Sequence, residues 1–236
     1  QVLAHVQKLW TDGRERVGQT TEELVGYLRD AGRLPAPAPE IAADTLARIA
    51  KAMAPEFDAA EAGFGAAPKF PPHGTLDVLL THAALSGDAS AESMALHTLD
   101  AMAKGGMYDL LGGGFARYSV DAEWRIPHFE KMLYDNGQLV PIYVDAWLRT
   151  GEARYRRVVV ETCDQVIREM QLDEGAFASA FDADSEGEEG RFYAFTPRDL
   201  RDALGIVDGL ALAALCEVTD AGTFEHGTSG LRLETA

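Results

Sequence analysis

Cysteine is scarce in this chain. Only Cys163 and Cys216 occur among 236 residues. They lie far apart, each among apolar residues, and no CxxC motif is present, so the chain alone carries no dithiol redox centre. We interpret both as buried free thiols of a reducing compartment, which predicts a cytoplasmic location.

Basic residues are few as well, with 21 Lys and Arg against 38 Asp and Glu and a formal net charge of -17. Binding to nucleic acid or to an anionic membrane needs a basic surface, so we expect neither partner. The longest strongly apolar run, near residues 210–216, is far too short to span a bilayer. Residues 1–10 carry no signal-peptide pattern.

Apolar residues are plentiful, at 47% of the chain, which is ordinary for a globular protein with a substantial core. The sequence begins with Gln1 rather than Met, and it begins inside an amphipathic helical pattern. We therefore interpret it as a piece of a longer protein.

Helical periodicity covers most of the chain. An N-terminal helix precedes a second one, which we predict to be capped by Thr20 or Thr21, with Glu23 completing a capping box. The alternating prolines of residues 32–39 predict an extended linker. Beyond the linker, helices are predicted along an apolar stripe from Ile41 to Met53, at 75–86, 91–104, 128–149 and 153–171, from Pro197 onward, and at 208–217.

Long loops rich in glycine and aromatic residues separate the helical pairs, at residues 63–71, 105–127 and 175–196. The third loop alternates like a β-hairpin. Its arms would carry Phe177, Ser179 and Phe181 on one side, and Phe192, Ala194 and Thr196 on the other. Helical hairpins joined at one rim by such loops predict an all-α fold, a partial (α/α)6 toroid with its site at that rim. A simple helical bundle is the alternative.

Four motifs in these loops resemble those of one family. They are GFGAAPKFP at 63–71, GGMYDLLGGGFARYSVD at 105–121, Trp124 followed by PHFEKMLYDN at 127–136, and FDADSEGEEGRFY at 181–193. Together and in this order they are similar to the signatures of the thioredoxin-domain-containing, spermatogenesis-associated protein family, also called the domain of unknown function 255 family.

This resemblance implies a thioredoxin-like domain followed by an (α/α)6 toroid similar to N-acylglucosamine 2-epimerases and six-hairpin glycosidases. Residues 1–31 would be the tail of the thioredoxin-like domain, 32–39 a linker, and 40–236 the first half of the toroid. The redox motif of the family would lie upstream of this chain. Residues 223–226 resemble a further signature without its usual Gly and Asn. No established reaction comes with the family.

His128 is the leading candidate for proton transfer. On the helix that Pro127 is predicted to open, His128, Lys131 and Asp135 share one face, so we expect them to line one pocket with the loop 63–71. A helix N-terminus disfavours a protonated imidazole, and a neutral His128 can act as a general base. Alternatively, His128 merely hydrogen-bonds the preceding loop.

Asp182 and Asp184 open an acidic segment that ends at Glu189. Strand alternation places Asp182 on a face of small residues, so we expect the hairpin to fold over the rim and turn Asp182 toward the pocket. Paired carboxylates there divide acid and base roles on a sugar. The alternatives are a solvated turn and a calcium loop, but Tyr193 replaces the bidentate Glu that calcium needs. We therefore predict no metal.

Further residues complete the expected site as substrate-binding groups, because aromatic faces stack on sugar rings and cations hold hydroxyl or anionic groups. They are Lys69, Arg117, Tyr118, Trp124 and Lys131. The structural alternatives are that Trp124 fills the core and that Arg117 pairs with Asp121.

The sequence lacks the motifs of several other enzyme classes. The glycines at 112–114 have no strand–turn–helix context for a dinucleotide, and the His128–Glu130 pair has no later PCxxC of a zinc deaminase. GxSxG and Walker motifs are absent from the sequence. We predict no cofactor.

The leading hypothesis is a carbohydrate-active enzyme, epimerase-like or hydrolase-like, that binds a sugar-like small molecule. The alternatives are a non-catalytic binding module that serves a thioredoxin-like redox domain, and a redox enzyme whose chemistry lies wholly outside this chain. Unpaired apolar faces of an incomplete toroid, such as residues 210–215, also predict self-association.

Overall fold

A computed structural model describes residues 2–33 and 41–233. The chain divides into two compact units, Gln1–Ala43 and Asp44–Ala236. Most of the predicted linker 32–39 lies outside the described residues.

Two helices make up the described part of the first unit, α1 (Val2–Asp12) and α2 (Arg14–Ala31). The predicted cap at Thr20 or Thr21 is wrong, because both residues lie inside α2. Their hydroxyl groups donate to the carbonyl oxygens of Arg16 and Val17, at 3.0 and 2.8 Å. A threonine that bonds back to the preceding turn can sit within a helix and caps nothing.

The second unit contains the longer helical pairs. Its helices are α3 (Thr45–Met53), α4 (His73–Ser86), α5 (Ala89–Lys104), α6 (Leu133–Thr150), α7 (Ala153–Gln165), α8 (Pro197–Leu204) and α9 (Ile206–Leu215). A π-helical turn, Val166–Met170, follows α7. Short 3-10 turns lie at Ala54–Glu56 and Glu225–Gly227.

Local sequence sets several of these helix ends. Asp88 begins α5, because its carboxylate accepts from the backbone N–H groups of Ser90 and Ala91. Thr196 and Asp199 form a capping box at the start of α8. Gly151 ends α6 in the left-handed conformation that glycine adopts without strain.

The main core lies where α4 and α6 pack against each other and against α5 and α7, respectively, the helices that follow them. Its buried side chains include Leu76, Leu79, Leu99, Met102, Leu139 and Tyr143. A smaller core joins α8 and α9 to the chain that follows them, through Leu200, Ala213, Cys216, Val218 and Leu231.

Short antiparallel strand pairs connect the loops. They are β1 (Tyr118–Ser119) with β2 (Pro127–His128), β3 (Lys131–Met132) with β4 (Ala180–Phe181), β5 (Asp184–Ser185) with β6 (Glu188–Glu189), and β7 (Ala194–Phe195) with β8 (Ser229–Gly230). A small hairpin, β5 with β6, lies within 175–196 as predicted, but the pairing predicted for its arms is wrong. Both arms exist, but each finds its partner elsewhere in the chain, and only the tip at 184–189 pairs with itself.

The start of α6 also differs from its prediction. The predicted helix at 128–149 begins at Leu133, and residues 127–132 are extended, since they pair with β1 and β4. Side chains of an extended segment alternate between two faces. His128 and Glu130 accordingly lie together on one face, 3.7 Å apart, whereas Phe129 and Lys131 both contact Tyr193 on the other.

Within the described residues, none of the helices combines the length and the apolar character that a membrane span requires.

Candidate functional site

A histidine and a carboxyl group meet where α4 and α6 begin. His73 is the first residue of α4, and Asp135 lies in the first turn of α6. The Nε2 atom of His73 is 3.4 Å from Oδ1 of Asp135, and the two side chains are only 15% and 5% exposed. The packing of α4 against α6 therefore brings together two groups that are 62 positions apart in sequence.

Polar atoms of this pair are left without partners. Nε2 of His73 and Oδ2 of Asp135 are buried and have no hydrogen-bond partner among the described residues. Buried polar atoms in folded proteins are nearly always hydrogen-bonded, and exceptions are typical of catalytic or binding sites. The pair is therefore the best candidate for contact with a ligand.

Burial shifts the pKa values of His73 and Asp135 in opposite directions. It raises the pKa of Asp135 to about 6, a rise that the nearby Arg117 opposes. It lowers the pKa of His73, against the effect of the contact with Asp135. A general acid or base works best when its pKa lies near the operating pH. Asp135 is thus the member of the pair whose pKa moves toward neutrality, while burial favours the neutral imidazole of His73.

Ion pairs lie along the extended segment, and the charges of Arg117 and Glu130 act on Asp135. Nη1 of Arg117 donates to Oε2 of Glu130 at 2.8 Å, and His128 lies 3.7 Å from the same oxygen. Nδ1 of His128 is 2.6 Å from Oε1 of Glu189. We call His73, Arg117, His128, Glu130, Asp135 and Glu189 the polar cluster.

Aromatic rings stack beside the polar cluster. The rings of Phe70 and Tyr118 are 4.6 Å apart, and those of Tyr118 and His128 are 5.1 Å apart, both nearly parallel. Phe70 comes from the loop 63–71 and is 53% exposed. The stack offers an accessible apolar face next to groups that can transfer protons.

Three of the predicted substrate-binding residues are structural instead. Lys69 is buried, and its Nζ donates to Oδ2 of Asp58 and to the carbonyl of Ala62 at 2.8 and 2.7 Å. Trp124 is 1% exposed and fills the core, which confirms the alternative interpretation of this residue. Lys131 is also buried, and its Nζ donates to Asp109 and to the carbonyl of Gly113. Each ammonium group is thus bound to a carboxylate and a backbone carbonyl, which leaves at most one of its three donors for a ligand.

The predicted common pocket of His128, Lys131 and Asp135 is wrong. Lys131 lines a separate cavity of about 500 Å³, whose walls include Tyr108, Phe129, Phe192 and Tyr193. The reason is the extended backbone of 127–132, which sends Lys131 to the face opposite His128. The suggested pairing of Arg117 with Asp121 is likewise replaced by the pair with Glu130, while Asp121 accepts from three backbone N–H groups.

Asp182 and Asp184 are both exposed. Oδ1 of Asp182 accepts from the backbone N–H of Asp184, as in a solvated turn. The acidic segment does reach the polar cluster, but through Glu189. Sequence reasoning missed His73 and Glu189, and it considered Glu130 only as part of a zinc motif. Period-two alternation through 127–132 would have paired Glu130 with His128.

No cluster of three or more metal-ligating side chains is arranged to hold an ion within the described ranges 2–33 and 41–233.

Comparison with known proteins gives clear relatives. Spermatogenesis-associated protein 20 of Mus musculus is 39% identical over 176 residues, which cover 70% of this chain and 22% of that protein. The same protein of Homo sapiens is 33% identical over 216 residues, which cover 86% of this chain and 28% of that protein. The chain belongs to the spermatogenesis-associated protein 20 family. It spans only about a quarter of the length of these family members, and no family model matches it.

Among solved structures, the fold of this chain is similar to that of cellobiose 2-epimerase from Bacillus thermoamylovorans B4167. The TM-score is 0.52 at 12% identity, over 59% of this chain and 40% of the epimerase. At this identity the likeness concerns the fold. The second unit is part of an (α/α)6 toroid with small antiparallel strand pairs in its loops.

Proposed function

We propose that this chain carries the acid–base site of a carbohydrate-active toroid, epimerase-like or hydrolase-like. One observation carries the proposal: a buried carboxyl group, Asp135, has an unpartnered oxygen and lies 3.4 Å from an equally unpartnered histidine nitrogen. The likeness to a cellobiose 2-epimerase supplies the substrate class by analogy of fold, which by itself is weak evidence for a reaction.

The chemistry requires that a proton leave one position of the sugar and that another be delivered. In an epimerisation, a base removes the proton from the carbon beside a carbonyl group, and an acid returns a proton to the opposite face. Neutral His73 and ionised Asp135 are both available as bases near pH 7, because burial lowers the pKa of His73 and so keeps its imidazole neutral, while it raises the pKa of Asp135 to about 6. His128, held by Glu189, is the second proton-transfer group of the proposal.

The stacked rings of Phe70 and Tyr118 would bind the ring of the sugar. Aromatic and apolar surfaces with a few placed polar groups are the usual composition of a small-molecule site. Asp182 and Asp184 are assigned no direct contact with the sugar, since both are exposed.

Proton exchange tests this function even when the product is unidentified. The full-length protein is incubated in D₂O with neutral aldoses, ketoses and disaccharides, and loss of the C2 proton is followed by NMR, with reducing ends assayed in parallel for hydrolysis. Removing a general acid or base typically slows a reaction by about 10²–10⁴-fold. We expect losses of that size for Asp135→Asn and His73→Asn.

Asp202→Asn is the matched control, because Asp202 is an exposed carboxylate on α8. It should leave the rate unchanged. If Asp135→Asn and His73→Asn react as fast as the wild type, the acid–base assignment is wrong. If no sugar exchanges or is cleaved while a thioredoxin-like partner domain still requires this chain for activity, the non-catalytic binding module becomes the better description.

A further inference from the structure

We infer that the polar cluster selects uncharged, hydroxyl-rich ligands against phosphorylated or carboxylated ones, and that Glu130 enforces this selection by neutralising Arg117. The inference rests on the proposed function and deepens it, because it names the substrate class as non-phosphorylated sugars and Glu130 as a specificity-determining residue.

The hydrogen-bonding capacity of the polar cluster matches a hydroxyl-rich ligand. Among the described residues, the buried atoms of the cluster that lack partners are an acceptor, Oδ2 of Asp135, a donor, Nε of Arg117, and Nε2 of His73, which can play either part. A hydroxyl group donates and accepts, so a sugar with adjacent hydroxyl groups can satisfy all three. A phosphate dianion placed against these atoms only accepts hydrogen bonds, and would leave the Asp135 oxygen facing it without a donor.

The charge of the polar cluster disfavours an anionic ligand. The cluster holds three carboxylates, Asp135, Glu130 and Glu189, against one guanidinium group and two histidines. Arg117 is its only permanent cation and is already paired at 2.8 Å with Glu130. An incoming anion would therefore meet three carboxylates in a cluster whose one guanidinium group is already paired, and like charges brought together oppose binding strongly.

Glu130 is the residue on which this selection depends. Its side chain is 24% exposed and contacts both Arg117 and His128. Without its charge, Arg117 would face the ligand as an unpaired guanidinium group, which is a good phosphate binder. Substitution of Glu130 should therefore change the relative affinity for phosphorylated and neutral sugars, rather than weaken the binding of all ligands equally.

The experiment measures dissociation constants of the full-length protein for paired probes. Glucose, mannose, galactose and N-acetylglucosamine are each compared with their 6-phosphates by ligand-observed NMR at pH 7.5. For the wild type we expect each neutral sugar that binds to do so at least about tenfold more tightly than its phosphate. We call the ratio of the two dissociation constants, phosphate over neutral sugar, the gap. Glu130→Gln should reduce this gap at least about fivefold, mainly by improving binding of the phosphate.

Asp202→Asn again serves as the control, since Asp202 also pairs with an arginine, Arg198, at 3.4 Å, but on the exposed surface of α8. It frees one arginine and removes one negative charge without altering the cluster, so it should leave the gap unchanged. Glu189→Gln provides a second test if Glu130→Gln does not fold, and should narrow the gap in the same direction.

The outcomes separate the inference from the function on which it rests. Tighter binding of the phosphates by the wild type would overturn the inference and leave acid–base chemistry on a sugar standing. An unchanged gap in both Glu130→Gln and Glu189→Gln would overturn the role of the carboxylates. The highest ligand concentration is 50 mM, which is roughly the weakest binding of interest. If neither class of ligand binds at this concentration, both the proposed function and the inference are contradicted.

Discussion

At residue 135, burial and charge act in opposite directions. Loss of water raises the pKa of the Asp135 carboxyl to about 6, while Arg117 favours the ionised form. Between its ordinary value of 3.8 and the raised value, the folded state binds more protons than the unfolded state. The contribution of Asp135 to stability therefore falls as pH rises through this window, by up to about 3 kcal/mol.

Asp135→Asn should remove that pH dependence. Relative to the wild type, the variant should gain up to about 3 kcal/mol in free energy of unfolding between pH 4 and pH 7.5. Urea unfolding at several pH values measures this. His73→Asn should act in the opposite direction: a lowered histidine pKa costs stability as pH falls below about 6.5, and the variant loses that cost. Parallel profiles for all three proteins would contradict the assignment.

Lys131 illustrates a residue whose chemistry serves the fold. Lys131→Met should destabilise the second unit by about 3–5 kcal/mol, because it leaves Asp109 without its buried partner. Lys131→Met combined with Asp109→Asn should recover much of this loss. Arg198→Met, which breaks an exposed pair, should cost less than about 1 kcal/mol. Thermal or urea unfolding tests the series, and equal losses in all three variants would show that burial of the pair is unimportant.

At the scale of elements, the helices were largely predictable and the strands were not. The apolar periodicity of α4, α5 and α7 and the proline that opens α8 are local signals, and they place these helices within a few residues. The extended segment 127–132 depends on partners at 118–119 and 180–181, and no local pattern reports them. Long-range pairing also separates the predicted arms of the hairpin, because residues 194–195 pair with 229–230.

In the candidate site, too, residues joined by local sequence were predictable and residues joined by long-range packing were not. Asp135 and His128 belong to the polar cluster, and both were predicted from the motif at 127–136. His73 was missed because its relation to Asp135 exists only once α4 packs on α6. Lys69, Lys131 and Trp124 carry the residue types of a sugar site, but all three are buried, and each lysine is bound to a carboxylate and a backbone carbonyl. Sequence alone does not distinguish a lysine that binds a ligand from one that pairs with a buried aspartate.

The acidic segment allows a matched test of how it packs. Gly187 and Gly190 both have positive φ, but a methyl group added at Gly187 meets nothing, whereas one at Gly190 would overlap the ring of Phe129. Gly187→Ala should cost about 1–2 kcal/mol for backbone strain. Gly190→Ala should cost at least about 1 kcal/mol more, because Phe129 must also move. Similar losses of unfolding free energy would mean that Phe129 does not hold the segment.

At the scale of the whole molecule, apolar side chains on α9 remain outside any core. Ile206 and Val207 are 72% and 79% exposed, and Leu210 and Leu215 about half exposed. We predict that this chain self-associates through α9, and that Ile206→Lys with Val207→Lys shifts it toward monomer and reduces binding of an apolar dye. Leu85→Lys removes a comparably exposed leucine from α4 and should have little effect. Light scattering distinguishes the two, and a monodisperse wild-type monomer would contradict the prediction.

The extended segment 127–132 has a consequence for how this sequence can change over generations. Each of its residues can be exchanged singly, and the damage stays at one position. A single codon inserted or deleted between β2 and β3 would instead move Lys131 to the face on which His128 lies. Such length changes should be far rarer here than substitutions.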